Sequence, residues 1–146
     1  MRFPELEARL LDECFVPTCF SVGDGWDRAD DVECLARVGD RYEIFYVERG
    51  RRQAATAVFD GEEEACDAYY ALLLRNITAR THCLGLFADG ADADRLCAAL
   101  AERGLPFTRD RIPWNGPASP RFRVFVLGKD VIVGRTLAAA LPGPRD

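Results

Sequence analysis

The 146-residue chain is predicted to be an α+β protein: an antiparallel β-meander with packed helices, followed by a C-terminal β-α-β-β unit. Three observations lead there. Strand-like runs rich in β-branched and aromatic residues come in groups and do not alternate strictly with helices. Short Gly-containing turns separate the runs within a group, as hairpins require. The helical stretches repeat apolar residues at i and i+4, which gives each one a face to lay on a sheet. Length predicts one domain over residues 1–146, with a subdomain boundary near 76–82 as its weakest point.

Glu5 to Cys14 reads as the first helix, with Leu6, Leu10 and Leu11 on one side and Pro4 in its first turn. Pro17 ends that segment, and Cys19 to Val22 is a short strand. The acidic loop Gly23-Asp24-Gly25-Trp26-Asp27-Arg28-Ala29-Asp30-Asp31 follows. Val32 to Val38 and Arg41 to Glu48 form a hairpin across Gly39-Asp40, and Ala54 to Phe59 adds a third strand after the polar turn 48–52. Asp60 is placed to cap the next helix, with Glu63 three residues on completing a capping box. Cys66, Tyr69, Tyr70, Leu73 and Leu74 form its core-facing stripe.

Residues 83–88 suggest a buried strand, and a helix from about Asp92 to Arg103 ends where Gly104 supplies a left-handed cap. Phe107 to Trp114 and Phe122 to Leu127 read as strands. The β-branched run Val131-Ile132-Val133 reads as one more, before a short helix from Leu137 to Leu141 that stops at Pro142.

Hydrophobic residues make up 49% and charged residues 29% of the chain, a balance that supports a packed core. The formal charge is −5, which argues against direct nucleic-acid binding, because that affinity comes from cations replacing counterions on phosphates. No run approaches the roughly 18 apolar residues of a membrane span, and Met1-Arg2-Phe3-Pro4-Glu5 lacks the layout of a signal peptide. The expected location is the cytoplasm, with no membrane contact. The charge is lopsided: residues 1–67 hold 17 acidic and 8 basic side chains, whereas 68–146 hold 7 and 11.

The 6 cysteines contain no CxxC pair. They read as reduced thiols acting as small hydrophobes, with neither a metal site nor a cofactor expected. His82 is the single histidine and Ser21 and Ser119 the two serines, and neither serine lies in a G-x-S-x-G elbow. Gly23-x-Gly25 lacks the third glycine of a dinucleotide fingerprint. No catalytic residue is assigned, and the chain is not expected to be an enzyme.

Candidate contact residues lie outside the periodic segments. Trp26 is surrounded in sequence by Asp24, Asp27, Asp30 and Asp31, with Glu33 just beyond, and Glu48 and Arg49 form a rim at the hairpin tip. Trp114, with Arg109 and Arg111 nearby, is a second aromatic candidate. Tryptophan is enriched at interface hot spots, and carboxylates around one suit a cationic partner.

The stretch from Cys34 to Gly50, ending Glu48-Arg49-Gly50, and then Phe59-Asp60-Gly61-Glu62-Glu63-Glu64-Ala65-Cys66, resembles a group of small proteins of high-GC bacteria. The group's signature is an aromatic strand ending in E-R-G followed by F-D-x-E-x-E-A-C, and its members resemble immunity proteins of polymorphic toxin systems. The resemblance covers residues 5–80, with a looser match from Arg123 to Gly128. It implies a binding role by occlusion: the partner would be a cognate toxin domain, one acting on nucleic acids or nucleotides being a fitting class. The competing readings are a small carboxylate- or metal-dependent enzyme, and a module that self-associates through the Tyr42-Ile44-Tyr46 or Phe45-Val47 face.

Overall fold

A computed structural model describes residues 1–141, and they form an α+β fold. The chain divides into two compact units, Met1–Arg80 and Thr81–Asp146, each described here by itself; the division lies inside the 76–82 stretch.

In the first unit, helix α1 (Phe3–Asp12) leads through a 3-10 turn (Pro17–Cys19), the short strand β1 (Ser21–Val22) and a second 3-10 turn (Asp24–Arg28). Strands β2 (Val32–Val38), β3 (Arg41–Glu48) and β4 (Arg51–Phe59) and helix α2 (Glu62–Arg75) complete it, before a last 3-10 turn (Ile77–Arg80). The sheet order is β1-β2-β3-β4; β2, β3 and β4 are the antiparallel meander, and β1 adds to β2 in parallel. Leu35 pairs with Ile44, and both join Leu6, Leu10, Tyr69 and Leu73 of the helices in one buried cluster. Alternation then sends Cys34, Ala36, Phe45 and Val47 to the other face, where they form a second cluster.

The Tyr69 hydroxyl ties helix to sheet. It donates to the Glu33 carbonyl at 2.6 Å and accepts from the Ser21 amide at 3.1 Å. Burial holds this phenol well above its ordinary pKa, so it remains a donor.

The expected cap of α2 is not formed. Gly61, not Asp60, occupies the N-cap position, and Asp60 instead faces Arg41 across the hairpin end at 3.5 Å. Glu62 accepts from the Phe3 amide at 2.9 Å, so this glutamate joins the starts of the two helices. Three glutamates in the first turn of α2 still oppose the helix dipole.

The second unit runs β5 (Thr81–Phe87), α3 (Gly90–Glu102), β6 (Thr108–Pro113), β7 (Pro120–Leu127), α4 (Asp130–Ala139). Its sheet order is β5-β7-β6, with β7 antiparallel to both neighbours, a split β-α-β arrangement. Asp89 caps α3 by accepting from the Ala91 amide at 2.9 Å. At its other end Gly104 adopts φ 67°, and the Leu105 and Gly104 amides donate to the Leu100 and Ala101 carbonyls, each at 3.0 Å.

The strand expected at Val131-Ile132-Val133 lies in α4 instead. The β-branched run is overridden by tertiary packing. Val131, Gly134 and Ala138 recur at helical spacing and are buried, and Ile132 is left outward at 61% exposure. A β-carbon at Gly134 would stand 2.8 Å from Leu84 Cδ1, so the missing side chain is what lets α4 lie against β5. The helix ends at Ala139, and Pro142 lies outside the described residues.

All six cysteines are free. Cys34, Cys66 and Cys97 are buried, and desolvation pushes the thiols of Cys34 and Cys66 up to about 11. Cys14 and Cys19 are half-buried and Cys83 is exposed, so the expectation of buried thiols fits three of the six.

Candidate acidic interface of the first unit

Residues far apart in sequence meet where β2 begins and β3 ends. The register pairs Val32 with Val47 and Glu33 with Tyr46, which brings Asp30 and Asp31 beside Glu48 and Arg49. Asp30 Oδ1 accepts from the Arg49 amide at 2.7 Å, closing this corner. Asp31 and Arg49 both adopt φ 51°, a left-handed conformation that non-glycine residues occupy at a cost. Arg49 and Gly50 (φ 72°) form the two-residue connection between β3 and β4, where a type I′ turn needs both residues left-handed.

Tyr46 stands at the centre of this group. Its phenol is held above the ordinary value, first by desolvation and then by the carboxylates of Asp31, Glu48, Glu33 and Asp30. Glu33 is half-buried, and its Oε2 has no hydrogen-bond partner among the described residues. Burial alone raises its pKa.

Trp26, the aromatic contact candidate, packs on the sheet. It is half-buried in the 3-10 turn, its ring edge-on to Phe45 with centroids 5.3 Å apart. The Arg52 guanidinium lies 4.0 Å from the Phe45 centroid and 5.9 Å from that of Trp26, and it pairs with Glu43. Trp26 thus roofs the second face of the sheet. Asp24 and Asp27 project from the same turn and are exposed, with Asp27 4.0 Å from Arg28.

Between the two 3-10 turns lies an open cleft of about 420 Å³. Pro17, Phe20, Ala29 and Val32 supply its apolar lining, and Thr18, Ser21, Arg28 and Asp30 its polar one.

The structure therefore gathers Asp30, Asp31, Glu33, Glu48 and Arg49 at one corner, with Asp24, Trp26 and Asp27 on the adjoining turn. Trp114 belongs to the second unit, where it is 50% exposed and has the Arg121 guanidinium 5.8 Å from its ring. Arg52 was not picked out by sequence, and Tyr46 and Phe45 were named only for a self-association face. The signal for Tyr46 lay in the hairpin register, which sets it opposite Glu33.

Of the faces weighed for self-association, Ile44 is 3% exposed, Phe45 and Val47 are fully buried, Tyr42 packs edge-on against Phe3, and Tyr46 is half-buried. Among the described residues no three His, Cys, Asp or Glu side chains converge in a metal-holding arrangement, and no helix is long and apolar enough to cross a membrane. Comparison of the chain with protein-family models, curated proteins and solved structures finds no match.

Proposed function

We propose that this chain is a non-catalytic immunity protein that binds a cognate bacterial toxin domain and blocks its active site or substrate path. The observation that carries the reading is the convergence of Asp30, Asp31, Glu33 and Glu48 around Tyr46, on a corner held by the Asp30–Arg49 hydrogen bond. Carboxylates concentrated on a braced backbone steer a basic partner and lose little entropy on binding it. A toxin domain that acts on nucleic acid or nucleotides presents a basic cleft, and a rigid carboxylate array occupies such a cleft as phosphates do. The resemblance of residues 34–66 to immunity-type proteins points to the same class.

The test is association kinetics with a cognate toxin domain, sought at the neighbouring gene or by pull-down from the producing cell. The Asp27→Asn/Asp30→Asn/Asp31→Asn variant is expected to associate about tenfold more slowly at low salt, with a flatter dependence on ionic strength. An association rate equal to that of the parent chain at every salt concentration overturns the assignment of this surface.

A further inference from the structure

We infer that the cleft between the two 3-10 turns receives a cationic side chain of the partner, an arginine from its basic surface; the inference rests on the immunity reading and names the chemistry of its contact. A long basic side chain has an apolar stem and a charged head, and it binds where an apolar slot opens onto carboxylates. The cleft has that layout. Phe20, Ala29 and Val32 give it an apolar lining, and Asp30 is the acidic residue of that lining, with its Oδ1 accepting from the Arg49 amide at 2.7 Å.

The charge balance selects the sign of the occupant. Segment 24–31 carries four carboxylates, at Asp24, Asp27, Asp30 and Asp31, against the single guanidinium of Arg28. Arg28 also lines the cleft, but its side chain is 88% exposed and leans towards Asp27. It stands at the rim, in water, and leaves the field of the segment negative. A volume of about 420 Å³ is ample for one side chain.

Titration of the full chain with N-acetyl-arginine amide, followed by amide chemical shifts, tests this without any toxin. Saturable shifts are expected at Thr18, Ser21, Gly25 and Ala29. The neutral isostere N-acetyl-citrulline amide is expected to bind about tenfold more weakly, as the charge-assisted contact is lost. Asp30→Asn should weaken the arginine probe about fivefold. Thr18→Trp, which fills the exposed side of the cleft and leaves every carboxylate in place, should abolish the shifts. Equal binding of the two probes, tighter binding of N-acetyl-glutamate amide, or shifts elsewhere on the chain would overturn the inference. Toxin binding at the acidic corner with no shift from the arginine probe sinks the cleft and leaves the immunity reading standing. Arginine binding in the cleft without any toxin partner does the reverse.

Discussion

The two units face the same problem and treat it differently. Each has a sheet with helices on one face, and each must deal with the other. In the first unit that other face is roofed: Trp26 and Ala29 of the acidic segment cover Phe45 and Val47, and Arg52 lies flat on Phe45. In the second unit α3 and α4 cover the face of Val124 and Val126, and alternation puts Arg121, Arg123, Phe125 and Leu127 on the opposite one. Among the described residues no element of the second unit roofs it. Arg123 pairs there with Asp110 and sits 5.0 Å from the Phe125 ring, and Leu127 is 39% exposed. On one face the Arg123–Asp110 pair stands open to water. An aromatic roof covers the other, and through Trp26 and Ala29 it seats the acidic 24–31 segment on the sheet.

Replacing Phe45 beneath the roof should have the largest effect. Phe45→Ala removes a fully buried ring together with the support of Trp26 and Arg52, and should cost about 3–5 kcal/mol. Denaturant unfolding measures the loss, and Trp26 emission in the native state should move to longer wavelength. Unshifted emission would mean that the roof stands without Phe45. Next comes Tyr69→Phe, which leaves the Ser21 amide and the Glu33 carbonyl without the hydroxyl that now satisfies both. About 1–3 kcal/mol is expected from two under-satisfied backbone groups.

The roof and the open ion pair can then be set against each other directly. Arg52→Ala removes a partly buried guanidinium that contacts a ring and Glu43, and should cost roughly 1–2 kcal/mol. Arg123→Ala breaks a more exposed, solvent-screened pair and should lower the melting temperature less than Arg52→Ala does. Equal losses in thermal unfolding would erase the distinction between the two faces.

The smallest effect is a gain. Burial raises the Glu33 pKa, so the folded state favours the protonated carboxyl. That contribution is fully present below the ordinary glutamate range and is lost as pH rises through the raised value. Glu33→Gln should therefore stabilise the protein at neutral pH by less than about 1 kcal/mol, after solvent screening of a half-buried group. The advantage should fade in acid. A stability difference that does not change between acid and neutral pH would contradict the assignment.

Most of the fold could be read from the sequence because its signals are local. Strand alternation located the β2–β3–β4 meander, and Gly104 marked the end of α3. Local signals also misled. Val131-Ile132-Val133 has strand propensity, yet Gly134 and Ala138 continue a buried helical stripe against β5, and packing decides. Asp60 has the chemistry of an N-cap, yet the Gly61 backbone takes that position.

The candidate site was legible as a list and not as an arrangement. The aspartates between 24 and 31 and the E-R-G turn stand out in the chain, but the bond from the Arg49 amide to Asp30 spans 19 residues and has no local trace. Trp26 stood out as a contact candidate because its sequence neighbours are carboxylates. Its true neighbour, Phe45, lies in a strand whose register had first to be formed.

The central claim is that the acidic corner and its adjoining turn are the surface the partner covers. Hydrogen–deuterium exchange of this chain, alone and bound to a partner captured from the producing cell, tests that most directly. Added protection is expected in residues 24–33 and 46–50, with exchange in 108–127 unchanged. Protection confined to 108–127, with the acidic corner exchanging as in the free chain, would contradict the account.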